Sequence, residues 1–505
     1  MHGLAQKNVQ PSTVKEQEGH TLADQYLHGS YGFLGDSRAD VASKVSTLPV
    51  YFGTAPVHLL PDYSGTINEP LLIHNRTEAV RKVGYSSDWS SFSLCEVIEA
   101  HFSNSIEPIG PVCFVNVFDP DTMRGTTEQT VSVTLIGGRG TIPNDKIIFS
   151  SVTIDGKTLD TDYLLDYDTG TDALIVQSIG TGLTSPVDVK FYEADPSQVA
   201  AADVIGGQSV MGKYTGVSAV NLVYQRHNMV PTLLAAPGWD HIQAVAEEIA
   251  ARSQKINGHW YAFGMTSLTG DKDDATLQTI DAWKTANGYN EESAKCMWPF
   301  ATKNGKIYHL STIAVVRTMQ TDAQNRGIPF ETPSNKPIDI ESLCHTDGTL
   351  IEFDKSQANE LNAKGITTGI FWGGGWVLWG GHTQKYSYNS TNDVRCIFDP
   401  YMRMLYYVVN TFQLRYGDDV DKPMDRRLKD RILSDVQEWL DGLETVGALL
   451  YGKIRFEEED NVTSDLIQGD FLFDIEVTAT PPAKSITARV SYTDSGLSIY
   501  FGEVA

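Results

Sequence analysis

The sequence predicts an α/β (α+β) core, interrupted by an all-β segment and flanked by an extended arm at each end. Three observations carry this. Continuous apolar runs bounded by Gly and Pro alternate with helical runs, the pattern of strands buried on both faces. Between residues 125 and 195 the apolar period drops to two, with Gly, Asn and Asp turns in between. The two ends fit neither pattern: residues 1–45 are polar without a sustained period, and Pro481-Pro482 cuts off the last stretch of chain.

Taken in order, residues 1–45 are the first arm, with only Leu22, Tyr26, Tyr31 and Phe33 as scattered apolar anchors. Residues 46–122 are the first part of the core. Residues 47–54 read as a buried strand. Ser93 and Glu96 have capping-box spacing and start a helix through Leu94, Val97, Ile98 and His101. Residues 111–118 form a second buried strand, closed by Asp119-Pro120.

Residues 123–203 are the β segment, with strands expected at 131–135, 147–149, 163–165, 174–176 and 187–191. Its acidic balance predicts a solvated, outward position. The core resumes over residues 204–350. Strands are expected at 230–236 and 260–265 and an extended piece at 294–299. Helices are expected over 275–285 and 311–324, and one after Asp240, with Asp240 as cap and Gln243 three residues on.

Residues 351–479 form a C-terminal domain. It opens on an aromatic, glycine-rich piece over 366–379. Its strongest element is a helix over 425–446, whose stripe is Leu428, Ile432, Val436, Trp439 or Leu440, and Leu443. Strands are expected over 448–456 and 471–477. The second arm is 480–505. Ile486, Ala488, Val490 and Tyr492 alternate with polar residues. Asp494-Ser495-Gly496 is a turn signal, and Leu497, Ile499 and Phe501 resume the alternation. Two strands alone are marginal in water, so these must join another sheet.

The 505 residues carry a net charge of -25, which argues against generic nucleic-acid binding and suits high solubility or a basic partner. Five widely spaced cysteines suit reduced, buried thiols in a cytosolic setting. The opening residues have no apolar signal core, and residues 369–381 are too short and glycine-rich to span a bilayer.

Candidate chemistry is sparse. Gly373-Gly374-Gly375 leads into Trp376, so it is no phosphate loop. Trp372, Trp376 and Trp379 could stack on a sugar, but a tight joint between strands is the simpler reading. Asp240-His241 stands where an α/β enzyme places catalytic residues, yet Asp240 reads better as a helix cap and no nucleophile is evident. Asp166, Asp168 and Asp172 around Gly170 are a weak candidate for a hard cation, against the simpler reading of an acidic hairpin tip. A cationic strip of Lys422, Arg426, Arg427, Lys429 and Arg431 stands out against the acidic background. It reads equally as a solvated helix face or as a docking strip for an acidic partner.

Several stretches then fall in a telling order: Pro49-Val-Tyr-Phe-Gly-Thr-Ala-Pro-Val-His58, Ile109-Gly-Pro-Val-Cys-Phe-Val-Asn-Val-Phe-Asp-Pro120, Asn228-Met-Val-Pro-Thr-Leu-Leu-Ala-Ala-Pro-Gly238, Glu331-Thr-Pro-Ser-Asn-Lys336, Leu361-Asn-Ala-Lys-Gly-Ile366, the 425–447 helix and Pro481-Pro-Ala-Lys-Ser-Ile-Thr487. In this order they resemble the contractile tail sheath proteins of bacteriophages and related injection particles. The resemblance spans most of the chain outside the β segment.

What the resemblance implies is a structural subunit, not an enzyme, with no cofactor and no resident metal. Such subunits stack helically around an inner tube and contract to drive it through a target envelope. Their arms add strands to neighbouring subunits. Carried over, Ile486, Ala488, Val490, Tyr492, Leu497, Ile499 and Phe501 lie on exchanged strands, Pro481 and Pro482 form the hinge, and the Lys422 to Arg431 strip faces the tube. The C-terminal domain would be tube-proximal. The implied partners are further copies of the chain, the inner tail tube protein, and baseplate and tail terminator proteins, without direct nucleic-acid contact or membrane insertion. The implied place is the virion tail, after assembly in the bacterial host cytoplasm. The rival readings are an α/β hydrolase or sugar-active enzyme with a β accessory domain, and a calcium-binding adhesin.

Overall fold

The computed structural model describes residues 46–501, so the expected arm of residues 1–45 lies outside them. The chain opens with β1 (Pro49–Gly53), β2 (Pro70–Ile73), α1 (Arg76–Val83), α2 (Ser93–Phe102) and β3 (Val112–Asn116). Five strands follow: β4 (Gln129–Val133), β5 (Arg139–Ile142), β6 (Tyr163–Asp168), β7 (Ala173–Ser178) and β8 (Val187–Phe191). Then come α3 (Ala201–Ile205), the short hairpin of β9 (Gly207–Gln208) and β10 (Tyr214–Thr215), and α4 (Val223–His227). The α/β alternation resumes with β11 (Leu233–Ala235), α5 (Gln243–Ser253), β12 (Phe263–Ser267), α6 (Ile280–Ala286) and β13 (Ala294–Met297). Next are β14 (Phe300–Lys303), β15 (Lys306–Tyr308), α7 (Leu310–Gln324), β16 (Ser342–Cys344), α8 (Lys355–Ala363), β17 (Ile366–Trp372) and β18 (Gly375–Trp379). The last part holds α9 (Asp399–Tyr416), α10 (Arg426–Thr445), β19 (Leu449–Arg455), α11 (Thr463–Gln468), β20 (Asp474–Ala479) and α12 (Ser495–Phe501).

Eight strands make one sheet in the order β18-β17-β13-β12-β11-β1-β3-β2. From β17 to β3 every pairing is parallel; β18 and β2 close the edges antiparallel. Every residue of β1, β3, β12 and β13 is buried. That explains their unbroken apolar runs: helices on both faces leave no wet side to alternate toward.

Strands β4 to β8 form two small sheets, β4-β8 and β5-β7-β6, around their own apolar cluster with Val133, Ile142, Leu174, Val176, Val189 and Phe191. The strand expected at 147–149 is absent. Phe149–Ser151 is a 3-10 turn, and Ile147 makes only a single bridge, to Glu193.

Helix α9 was not foreseen in the sequence, yet it ties the last part of the chain to the sheet. Asp399 in its first turn accepts from Lys295 Nζ of β13 at 2.6 Å, with both side chains buried. One turn on, the Arg403 guanidinium forks onto Asp322 of α7, also buried. Thr47 Oγ1 donates to the same carboxylate at 2.6 Å, so the start of the described chain, α7 and α9 meet at one residue. Breaking such a pair from one side costs about 3–5 kcal/mol, because the other charge is left buried alone.

Candidate assembly surface

The surface that the tail and the cationic strip point to is built on α10. Asp425 caps this helix, its Oδ1 accepting from Leu428 N at 2.9 Å. Ile432, Val436, Leu440 and Leu443 form its buried stripe. At about 1.5–3 kcal/mol each, burying the four supplies roughly 6–12 kcal/mol as an upper bound. β19 runs along the helix. Gly452 permits the close approach, since a Cβ there would meet Leu440 Cβ at 3.0 Å.

β19 and β20 pair antiparallel as a sheet of two strands, with Gly452 opposite Val477 and Ile454 opposite Ile475. Their inward residues pack on α10. The outer face is charged, with Arg455 and Glu476 paired at 3.1 Å. Among the described residues no further strand joins either edge.

Past β20, Thr480 still holds the body: its N–H donates to Ala448 O and its hydroxyl to Gly447 O at 2.7 Å. Residues 481–484 still run along the body, where Pro482 is half-buried and Lys484 lies over the Tyr388 ring, and beyond them the side chains turn to solvent. Ile486, Val490 and Tyr492 are 90%, 92% and 87% exposed. Ala488 is exposed as well. Residues 481–494 form no strand in the single chain, and Leu497, Ile499 and Phe501 lie in α12. The second expected strand is therefore corrected to a helix. A strand needs a ladder partner for its N–H and C=O groups, and the described residues offer this segment none, whereas a helix satisfies them locally.

The cationic strip is dispersed. Lys422 precedes the helix, so it does not share a helical face with Arg426 and Lys429 as an earlier start would have allowed. The five cations share three carboxylates: Lys422 and Arg431 bind Asp419, Arg426 and Lys429 bind Asp430, and Arg427 binds Asp425. Lys429 also lies over the Phe456 ring. Arg426 and Arg427 project furthest, at 90% and 94% side-chain exposure.

The other candidates do not assemble into chemistry. Asp168 accepts from Gly170 N and Thr171 Oγ1 within its own turn, and Asp172 accepts from Ser87 Oγ at 3.0 Å. Asp166 accepts from Tyr167 N. Among the described residues no three acidic, His or Cys side chains are placed to hold a metal ion. Trp376 and Trp379 donate their indole N–H to Glu341 O and Asn359 Oδ1, and Lys355 sits over Trp372 at 3.9 Å. Gly373 and Gly374, both at positive φ, make the hairpin turn between β17 and β18.

Asp240 is not the cap of α5, whose N-cap is Ile242. Its carboxylate is buried at the carboxyl end of the sheet, where Oδ2 accepts from Ser311 Oγ at 3.3 Å and Oδ1 has no partner. Burial pushes its pKa up to about 7. His309, beside it, is held by Glu96 at 2.6 Å. The cluster is sealed within the fold rather than open to a substrate.

No protein-family model matches the chain. The tail sheath protein of Burkholderia phage BcepMu is 23% identical over 500 residues, covering 94% of this chain and 98% of that protein. That of Escherichia phage P2 is 25% identical over 303 residues, covering 59% and 72%. Over nearly its whole length the chain is thus similar to a phage tail sheath protein, and over a shorter span to a second one. The fold of this chain is also that of the anti-feeding prophage helical sheath in its contracted state. The TM-score is 0.54 at 14% identity, covering 92% of this chain and 100% of that one.

Proposed function

We propose that this contractile sheath subunit polymerises by strand exchange around an inner tube. The observation that carries the reading is a mismatch between two parts of one chain: a two-stranded sheet that no further strand joins at either edge among the described residues, and a tail whose apolar residues are presented to solvent. Adding the tail strand of one copy to the sheet of the next satisfies both, and a head-to-tail contact of that kind propagates helically. Residues 485–492 are the donated strand, and Pro481 and Pro482 are the hinge that lets it change direction while the body moves rigidly during contraction. The arm at residues 1–45 supplies the second exchanged segment.

In this reading the role is structural. Residues 123–203 face outward as a decoration, 351–479 lie nearest the tube, and the parts of 46–122 and 204–350 form the load-bearing core. The partners are further copies, the tube, the baseplate and the terminator; the polymer belongs to the virion tail and is built in the host cytoplasm. Purified protein is expected to form long hollow tubes in negative stain, and a monodisperse monomer at high concentration would overturn the reading.

Arg426 and Arg427 are what remains of the tube-facing strip, because their acids satisfy them only loosely at the surface. Replacing both by Gln is expected to weaken co-assembly with the tube by about two- to tenfold at low salt, the scale of exposed ion pairs. The effect should vanish as salt shortens the screening length. Pelleting assays across a salt series measure it, and an equal loss at all salt concentrations would remove these residues from the contact.

A further inference from the structure

The two edges of the β19-β20 sheet are not equivalent. In an antiparallel pair, alternate residues turn their N–H and C=O groups away from the partner strand. On β19 these groups belong to Gly452 and Ile454, and α10 takes three of the four. Gly452 N–H donates to Glu444 Oε1 at 2.6 Å, Gln437 Nε2 donates to Gly452 O at 3.0 Å, and Ile454 N–H donates to Gln437 Oε1 at 3.3 Å. Gln437 and Glu444 stand seven residues apart, so both project from the side of α10 that borders the strand. On β20, among the described residues, no side chain bonds the backbone of Ile475 or Val477.

We propose that Gln437 and Glu444 are an edge guard. They close β19 to strand addition in the free subunit and swing aside when a strand of a second copy of this chain displaces them. The proposal rests on the strand-exchange reading above and adds an order to it: β20 accepts a strand directly, and β19 accepts one only after displacement. An open edge templates uncontrolled pairing, and natural sheets cover such edges. Here the cover is removable, because an incoming strand makes the same three bonds that the side chains release. The exchange is therefore nearly neutral at equilibrium, and the guard acts on the rate at which free subunits begin to polymerise rather than on the finished polymer. Both side chains are half-buried at the surface, so they are free to leave without opening the core.

The full chain carrying Q437A and E444A tests this. Its lag before polymerisation, followed by light scattering, is expected to shorten by about tenfold, roughly the effect of losing one net hydrogen bond from the barrier. In the free subunit, hydrogen exchange at the Gly452 and Ile454 amides should quicken by a similar factor. Q437M with E444M keeps the packing of the stems while removing the bonds, so it separates the guard from any loss of folding; the same short lag is expected at an unchanged melting temperature. Unchanged exchange at the two amides would show that the bonds are not made, and quickened exchange with an unchanged lag would show that they guard nothing. Either result overturns the proposal. If a chain without residues 481–505 polymerises as the full chain does, the strand-exchange reading itself falls. If that truncation blocks polymerisation while both double variants keep the normal lag, only the guard falls.

Discussion

A chain ended after Thr480 is expected to fold as the full subunit does and to fail to form tubes. Folding should survive because, among the described residues, none beyond Ala479 belongs to an apolar core cluster. Thr480 keeps both of its bonds to residues 447 and 448. The melting temperature should shift by less than about 2 °C, the scale of surface changes that remove no packing. Assembly should fail because the cut removes its driving force. Ile486, Val490 and Tyr492, close to fully exposed in the single chain, would each contribute about 1.5–3 kcal/mol on burial against a neighbour. Even about 5 kcal/mol per contact is more than a thousandfold in affinity. The net charge of -25 per subunit opposes association throughout, so little else compensates for the loss. Negative-stain images and sedimentation of the truncated chain decide the matter: tubes of normal length would show that the tail is not the joint.

The reach of sequence reasoning is visible in particular elements. The buried strands β1 and β3 were legible because Gly and Pro bound them and both faces are covered, so local composition and final burial agree. Helix α10 was legible from its stripe, and Asp425 caps it within one residue of the expected start. Helix α9 was missed for the opposite reason. It packs on several sides, with Met402, Arg403, Met404, Tyr407, Val408, Asn410 and Thr411 all buried, so no single stripe marks it. Asp with Gln three residues on is a genuine local cap signal, but burial of Asp240 at the carboxyl end of the sheet, a tertiary fact, overrides it. The alternation of residues 485–492 reports an extended segment with two chemically distinct faces, and local sequence carries no information on what would pair with it. Gln437 and Glu444 left no signal at all, since their role exists only once β19 lies along α10.

Acid is expected to destabilise the subunit steeply between pH 6.5 and pH 4. Three histidines are buried in neutral form. His58 stacks on Phe92 and bonds Asp145 O with Nε2, while its Nδ1 has no partner. His101 lies between Tyr51 OH at 2.6 Å and Ile109 O at 3.1 Å. His382 is stacked on Tyr386 with its centroid 3.6 Å away and bonds Ile397 O. Burial lowers the pKa of each to about 4. Between pH 6.5 and 4 the unfolded chain therefore binds a proton at each of these three sites that the folded chain does not, and stability falls as pH falls. Asp240 works the other way. Its pKa, raised by burial to about 7, means that the folded chain holds one proton that the unfolded chain has released over the same window. Three taken up less one released leaves a net two protons. His309, raised through Glu96, changes stability only above pH 6.5, where its contribution is lost as pH rises. For His58, His101, His382 and Asp240 alone, two protons across 2.5 pH units amount to roughly 7 kcal/mol, comparable to the whole stability of a typical domain, and His241 and His259, whose pKa burial also lowers, act in the same direction. Calorimetry across the window should show the melting temperature falling toward pH 4, and a flat profile would contradict the burial assigned to these rings. His101→Gln should flatten the slope by removing one proton. Asp240→Asn should steepen it by removing the opposing one, and should raise stability at pH 8, where the wild-type carboxylate pays for being ionised without a partner on Oδ1.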